Sequence, residues 1–106
     1  MLFKDSMIKP ILDGVKTETR RVWSRCMVRE DKIYKARTNY SKNSIFALIK
    51  ITYVRKEKLG DVDQASAIRE GYNSLNEFIK EWSKIYGSWD PDLPVYVIGF
   101  KVVRAL

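Results

Sequence analysis

The chain has no histidine among its 106 residues and a single cysteine, Cys26. The first absence removes the commonest general base near neutral pH, and the two together leave no ordinary zinc site. Any catalysis must therefore run on lysine, threonine, tyrosine or carboxylates, and the residues call for no metal and no cofactor. One cysteine excludes an internal disulfide and fits a reducing, cytoplasmic compartment. Beside Met27 and with no histidine to activate it, Cys26 reads as a small buried hydrophobe, not a nucleophile. No apolar run approaches the roughly 18 residues of a membrane span. Met1-Leu2-Phe3-Lys4-Asp5 also lacks the basic start and long apolar stretch of a secretion signal, so a soluble protein with no membrane partner is expected. Repeats, low-complexity tracts and linkers are absent too.

What is present is one domain's worth of core. At 45% apolar and 12% aromatic residues, the chain is long enough for a single hydrophobic core and too short for two. Nothing in it points to an oligomer, and a monomer is expected. The net charge of +7 is unevenly placed: residues 1–58 carry 15 Lys/Arg against 6 Asp/Glu, whereas 59–106 carry 5 against 7. Seven cations (Arg20, Arg21, Arg25, Arg29, Lys32, Lys35, Arg37) fall within 18 residues. That density is the footprint of a surface meeting a polyanion, although ordinary solvated charge looks similar.

The periodicities predict an α+β chain. Leu2-Phe3 reads as a short first strand, and Met7, Ile8, Ile11 and Leu12 as a helical run limited by Pro10 and stopped at Asp13-Gly14. Thr17–Trp23 reads as a strand, with Thr17, Thr19 and Arg21 on one face and Glu18, Arg20 and Val22 on the other. Cys26–Val28 and Ile33–Arg37 form a hairpin candidate around Arg29-Glu30-Asp31-Lys32. Ser44–Val54 is the most strand-like run, apolar on both faces in its first half and ended by the charge and glycine of 55–60. A short helix capped by Asp61 or Asp63 runs to Arg69 and stops at Gly71. Ser74-Leu75-Asn76-Glu77 matches a capping box, and Leu75, Phe78, Ile79, Trp82, Ile85 and Tyr86 then recur at helical spacing. That aromatic stripe reads as core. Val95–Val103 closes the chain as a strand.

The segment Gly14-Val15-Lys16-Thr17-Glu18-Thr19-Arg20-Arg21 concentrates the chemistry. A lysine at a bend, two hydroxyls and an arginine suffice to bind an anion or carbonyl oxygen and to activate a hydroxyl. A solvated edge strand would show the same composition. The stretch resembles the signature of ASCH domains, small barrels of the PUA-like class, whose motif runs Gly-x-Lys-x-x-Glu-x-Arg after a short helix. Gly14, Lys16 and Arg21 fall on its fixed positions and Thr19 departs from it. Lys-Thr-x-Thr-x-Arg over Lys16–Arg21 is similar to the small stand-alone members that resemble 4-acetylcytidine amidohydrolases. The resemblance implies a PUA-like β-barrel of five to six mostly antiparallel strands with about three short helices.

It also implies a site. Lys16, Thr19 and, through a corresponding glutamate before the second helix, Glu70 would form a catalytic trio. Lysine would take the threonine proton, threonine would attack an amide carbonyl, and glutamate would orient the base or pass a proton to the leaving amine. Thr17, Arg20, Arg21 and Tyr40 are the candidate substrate-binding residues. Arg25, Arg29, Lys32, Lys35 and Arg37 are the candidate nucleic-acid-binding residues. Trp23 and Tyr34 read as core, and Tyr40, in a polar loop between cations, as the exposed aromatic. Two readings stand side by side: an ASCH module binding RNA or a modified nucleoside, and an amidohydrolase releasing acetate from 4-acetylcytidine. A protein-interaction role has no positive feature in the sequence.

Overall fold

Two long strands carry the architecture. The computed structural model describes residues 1–106, with strands β1 (Glu18–Arg21), β2 (Ile33–Arg37), β3 (Ile45–Lys58) and β4 (Pro94–Ala105). Helices α1 (Ile8–Leu12), α2 (Gln64–Arg69) and α3 (Leu75–Tyr86) join single 3-10 turns at Asp5–Met7, Lys42–Ser44 and Leu59–Asp61. The four strands form one antiparallel sheet in the order β1-β4-β3-β2. Register shifts between Leu48 and Ile49 and between Ile51 and Tyr53 interrupt the β3–β4 ladder. Such irregularities bend a strand and increase its twist, which lets β3 and β4 serve two cores.

The alternation of apolar residues explains the division. Phe46, Ala47, Ile49 and Ile51 of β3 and Ile98 and Phe100 of β4 join Phe3 and Ile11 in one cluster. Val95 and Val97, on the other face of β4, pack with Leu59, Val62, Ala67, Phe78 and Trp82 in a second. Helices α2 and α3 cover that second cluster. Asp63 caps α2 by accepting from the Ser66 N–H at 2.8 Å, and Ser74 caps α3 by accepting from the Glu77 N–H at 3.1 Å. Each such cap is worth roughly 1 kcal/mol. Half-buried Cys26 and Trp23 pack against the first cluster, as expected.

Four expectations are corrected. The sheet has four strands and is not closed, where a barrel of five to six strands was predicted. Residues 26–28 form no strand, because β2 takes β3 as its hairpin partner: Asp31 N–H donates to the Ile51 carbonyl and Ile51 N–H to that of Lys32. Leu2 makes only an isolated parallel bridge to Arg37, its neighbours exchanging two backbone bonds with the free edge of β2. The gap between that segment and β1 is spanned by a side chain instead of a ladder, Arg21 Nη2 donating to the Leu2 carbonyl at 2.7 Å. Finally, β3 runs through the charged 55–58 stretch, since its backbone continues to pair with β4 as far as Lys58 and Pro94. A ladder needs backbone groups, and charged side chains on the solvated face do not stop it.

Candidate functional site

The bend before β1 decides where the lysine goes. After α1, Gly14 takes φ 75° and the amides of Val15 and Lys16 both donate to the Pro10 carbonyl, turning the chain inward. Lys16 is thereby buried. Its ammonium donates three hydrogen bonds, to Glu70 Oε1 at 3.0 Å, the Glu70 carbonyl at 2.8 Å and the Glu18 carbonyl at 3.1 Å. Glu70 reaches it because Gly71, at φ 99°, ends α2 in a left-handed turn against the Lys16 side chain. A Cβ on Gly71 would stand 3.3 Å from that of Lys16. Burial lowers the Lys16 pKa below the ordinary lysine value, with Glu70 opposing the shift.

Thr19 lines the same cavity as Lys16 and Glu70, so the predicted trio does converge. The expected contact inside it is not formed. All three ammonium protons of Lys16 go to Glu70 and Glu18, and the Thr19 hydroxyl accepts instead from Arg21 Nε at 3.2 Å. Arg21 itself packs over the Phe3 ring at 4.9 Å, and burial lowers its pKa.

Arg20 also lines the cavity, with its bonded donors spent on neighbouring carboxylates. It donates to Glu18 Oε2 at 2.7 Å, Glu57 Oε1 at 2.8 Å and Glu70 Oε2 at 3.3 Å, while its Nε has no partner. Burial would lower its pKa, but the bonds to Glu18 and Glu57 outweigh that and raise it. Glu18 is fully buried and also accepts from the Tyr53 hydroxyl at 2.5 Å. Burial would raise its pKa, yet the Tyr53 and Arg20 bonds hold it below the usual glutamate value. The β1 strand thus presents Thr19 and Arg21 to the cavity and anchors Glu70 through Arg20.

The cavity measures about 220 Å³. Tyr72, Phe78, Trp82, Ile85 and Tyr86 line it together with the polar residues. Sequence reasoning assigned the α3 stripe to the core, which holds for Phe78 and Trp82. Ile85 and Tyr86 are instead 49% and 47% exposed, and Tyr86 stacks on Trp82 with ring centroids 4.3 Å apart. A helix whose apolar stripe outruns the core beneath it can furnish a pocket wall, and the position of Ile85-Tyr86 in the last turn was the available signal. Burial pushes the Tyr72 hydroxyl up to about 12, with Glu70 the next contributor.

Other predicted residues lie elsewhere. Thr17 does not line this cavity: its amide donates to the Arg69 carbonyl and its carbonyl accepts from Phe100, beside a separate depression next to α1. Tyr40 is 82% exposed and borders a separate groove with Lys35 and Arg37. Arg25, Arg29 and Lys32 are exposed and line no cavity. No group of three or more His, Cys, Asp or Glu side chains comes together to hold a metal ion. No helix is long and apolar enough to cross a membrane.

A bent antiparallel sheet with helices α2 and α3 inserted before its last strand, and a lysine-bearing bend behind a short first helix, defines an ASCH-type fold. The chain belongs to the ASCH domain family, whose sequence profile matches residues 1–104. Protein EF3133 from Enterococcus faecalis V583 is similar in structure, with a TM-score of 0.75 at 16% identity over 95% of this chain and 72% of that one. The ASCH domain from Lactobacillus crispatus JV V101 gives 0.68 at 21% identity, covering 93% and 71%. ASCH from Zymomonas mobilis gives 0.67 at 11% identity, covering 100% and 70%. No curated protein matches the sequence. These likenesses establish the fold.

Proposed function

We propose that the cavity binds one nucleoside unit of RNA or a free modified nucleoside, within an ASCH domain whose PUA-like fold has a proposed RNA-binding role. The observation that carries the reading is that Lys16, Thr19, Arg21 and Glu70, from two distant stretches of chain, line one small cavity together with the stacked pair Trp82–Tyr86. Donors, acceptors and a flat apolar wall are what an unstacked base requires. At about 220 Å³ the cavity falls below the roughly 300 Å³ at which pockets for drug-sized ligands begin, so a single nucleoside suits it better than a longer ligand. In this reading Arg21 meets an anion or carbonyl, Arg20 holds Glu70 in place, and Thr17 fixes the bend through its backbone bonds.

The lowered pKa of Lys16 beside a hydroxyl and a carboxylate favours a second reading, hydrolysis of 4-acetylcytidine. Thr19 Oγ1 would bond to the acetyl carbon, its proton passing through Lys16 to the departing amine of cytidine. Water would then release acetate and restore the hydroxyl. Both readings are tested together by incubating the protein with 4-acetylcytidine and measuring binding and cytidine release. If the site only binds, Lys16→Ala weakens affinity by releasing the Glu70 carboxylate that Lys16 holds in place, and no cytidine forms. If it hydrolyses, Lys16→Ala abolishes acetate release while the fold persists. Absence of both binding and release, for RNA and nucleoside alike, refutes the site.

A further inference from the structure

A second groove of about 620 Å³ opens next to the cavity and shares Leu2 and Arg21 with it. Its floor and walls are apolar and aromatic. Trp23 and Tyr34 are half-buried, whereas Met27 and Ile33 are 58% and 56% exposed, unlike residues that belong to a core. Lys35, Arg37 and the projecting ring of Tyr40 form the rim. No carboxylate lines the groove, and Arg21, Lys35 and Arg37 take part in none of the ion pairs of the molecule. Cations left unpaired around exposed aromatic faces complement a ligand that alternates anions with flat rings.

Arg21 occupies the junction. Its Nε and Nη2 are spent on Thr19 and on the Leu2 carbonyl, and stacking over Phe3 fixes the plane of the guanidinium. Nη1 makes no hydrogen bond, which leaves a rigidly held donor between the two spaces. We propose that the groove is a second nucleotide subsite and that the ligand is a single RNA strand. One base enters the cavity, the connecting phosphodiester meets Arg21 Nη1, and the next nucleotide lies along the groove. Its base rests on the aromatic wall and its outer phosphate faces Lys35 and Arg37. The assignment depends on the nucleoside reading of the cavity.

The test compares 4-acetylcytidine with a fluorescein-labelled single-stranded RNA pentamer carrying it at the centre, by anisotropy and competition. The wild-type protein should prefer the pentamer by at least about fivefold, the lower end of what one stacked base contributes. That preference should shrink as salt rises. Lys35→Glu and Tyr40→Ala, both at exposed positions, should each reduce the ratio of pentamer to nucleoside affinity, with circular dichroism confirming the fold. Equal affinity for the two ligands, an unchanged ratio in both variants, or equal competition by polyglutamate would overturn the subsite. In those cases nucleoside binding that still depends on Lys16 leaves the cavity reading standing. If neither ligand binds, the cavity reading fails and the subsite with it.

Discussion

Replacing Glu18 by glutamine tests whether the site rests on a buried ion network. The carboxylate accepts on both oxygens: Oε2 from Arg20, and Oε1 from Tyr53 with longer contacts to Arg55 and Arg69 at 3.4 Å each. A glutamine has one amide oxygen and one amide nitrogen, so either orientation turns a donor toward Arg20 or toward Tyr53. With the nitrogen toward Tyr53 the rotatable hydroxyl can turn to accept, so what the substitution removes is the negative charge facing buried Arg20. Arg55 and Arg69 are over 40% exposed and contribute little. The cost is that of breaking a buried pair, about 3–5 kcal/mol, against a total stability of about 5–15 kcal/mol for a domain of this size. At about 4–8 °C per kcal/mol, the melting temperature should fall by at least about 12 °C. Glu18 has a depressed pKa in the folded state, so its stabilisation is present above the ordinary value of 4.5 and is lost as pH falls through the folded value. The gap between wild type and Glu18→Gln, followed by circular dichroism on heating, should therefore narrow on acidification. A loss below about 1 kcal/mol at neutral pH, or a gap independent of pH, would refute the reasoning.

Gly99 lies opposite Tyr53 in the β3–β4 ladder, and a Cβ there would collide with the Tyr53 ring. Gly99→Ala should thus push Tyr53 off Glu18 and destabilise by more than the usual 1–3 kcal/mol of overpacking; combined with Tyr53→Ala it should be markedly less than additive in denaturant melts. Tyr72 holds its proton in the folded state from the ordinary value of 10.0 up to about 12, so folding stability falls as pH rises across that window. Tyr72→Phe should flatten the alkaline fall in the urea midpoint, leaving the smaller share due to Tyr53, whose hydroxyl burial also raises.

How much of this could be read from residues alone depends on the range of the forces involved. Ser74 and the i, i+4 pattern from Leu75 define α3 locally, and α3 appears as expected at Leu75–Tyr86. The 45–54 alternation likewise reports a strand with two apolar faces. Whether the sheet closes is not a local question, because it turns on whether the Leu2 segment, already paired with β2, meets β1 by backbone or only through the Arg21 side chain. The extension of β3 to Lys58 was illegible for a similar reason: its support comes from Pro94 and Val95, over thirty residues away. At the site, Lys16 and Thr19 are close in sequence and share a signature, whereas Glu70 was visible only by family resemblance. Arg20 lines the cavity as a cation already paired with Glu18, Glu57 and Glu70, an arrangement with no trace in the spacing of charges.

The resting geometry also ranks the two functional readings. Binding asks nothing of the cavity beyond what it displays, since Thr19, Tyr72 and Arg21 line a small space together with a stacked aromatic pair. Hydrolysis asks more. Lys16 must lose a proton and then accept one from Thr19, yet its three donors are spent on Glu70 and Glu18 and it has no bond to the hydroxyl. Burial favours the loss and the adjacent Glu70 carboxylate resists it. A ligand that drew Glu70 into a hydrogen bond would weaken that resistance and release one Lys16 position toward Thr19. Catalysis therefore requires the substrate to rearrange the Lys16–Glu70 pair, whereas recognition does not, which is why binding stands as the primary reading and hydrolysis as the one that depends on a further step.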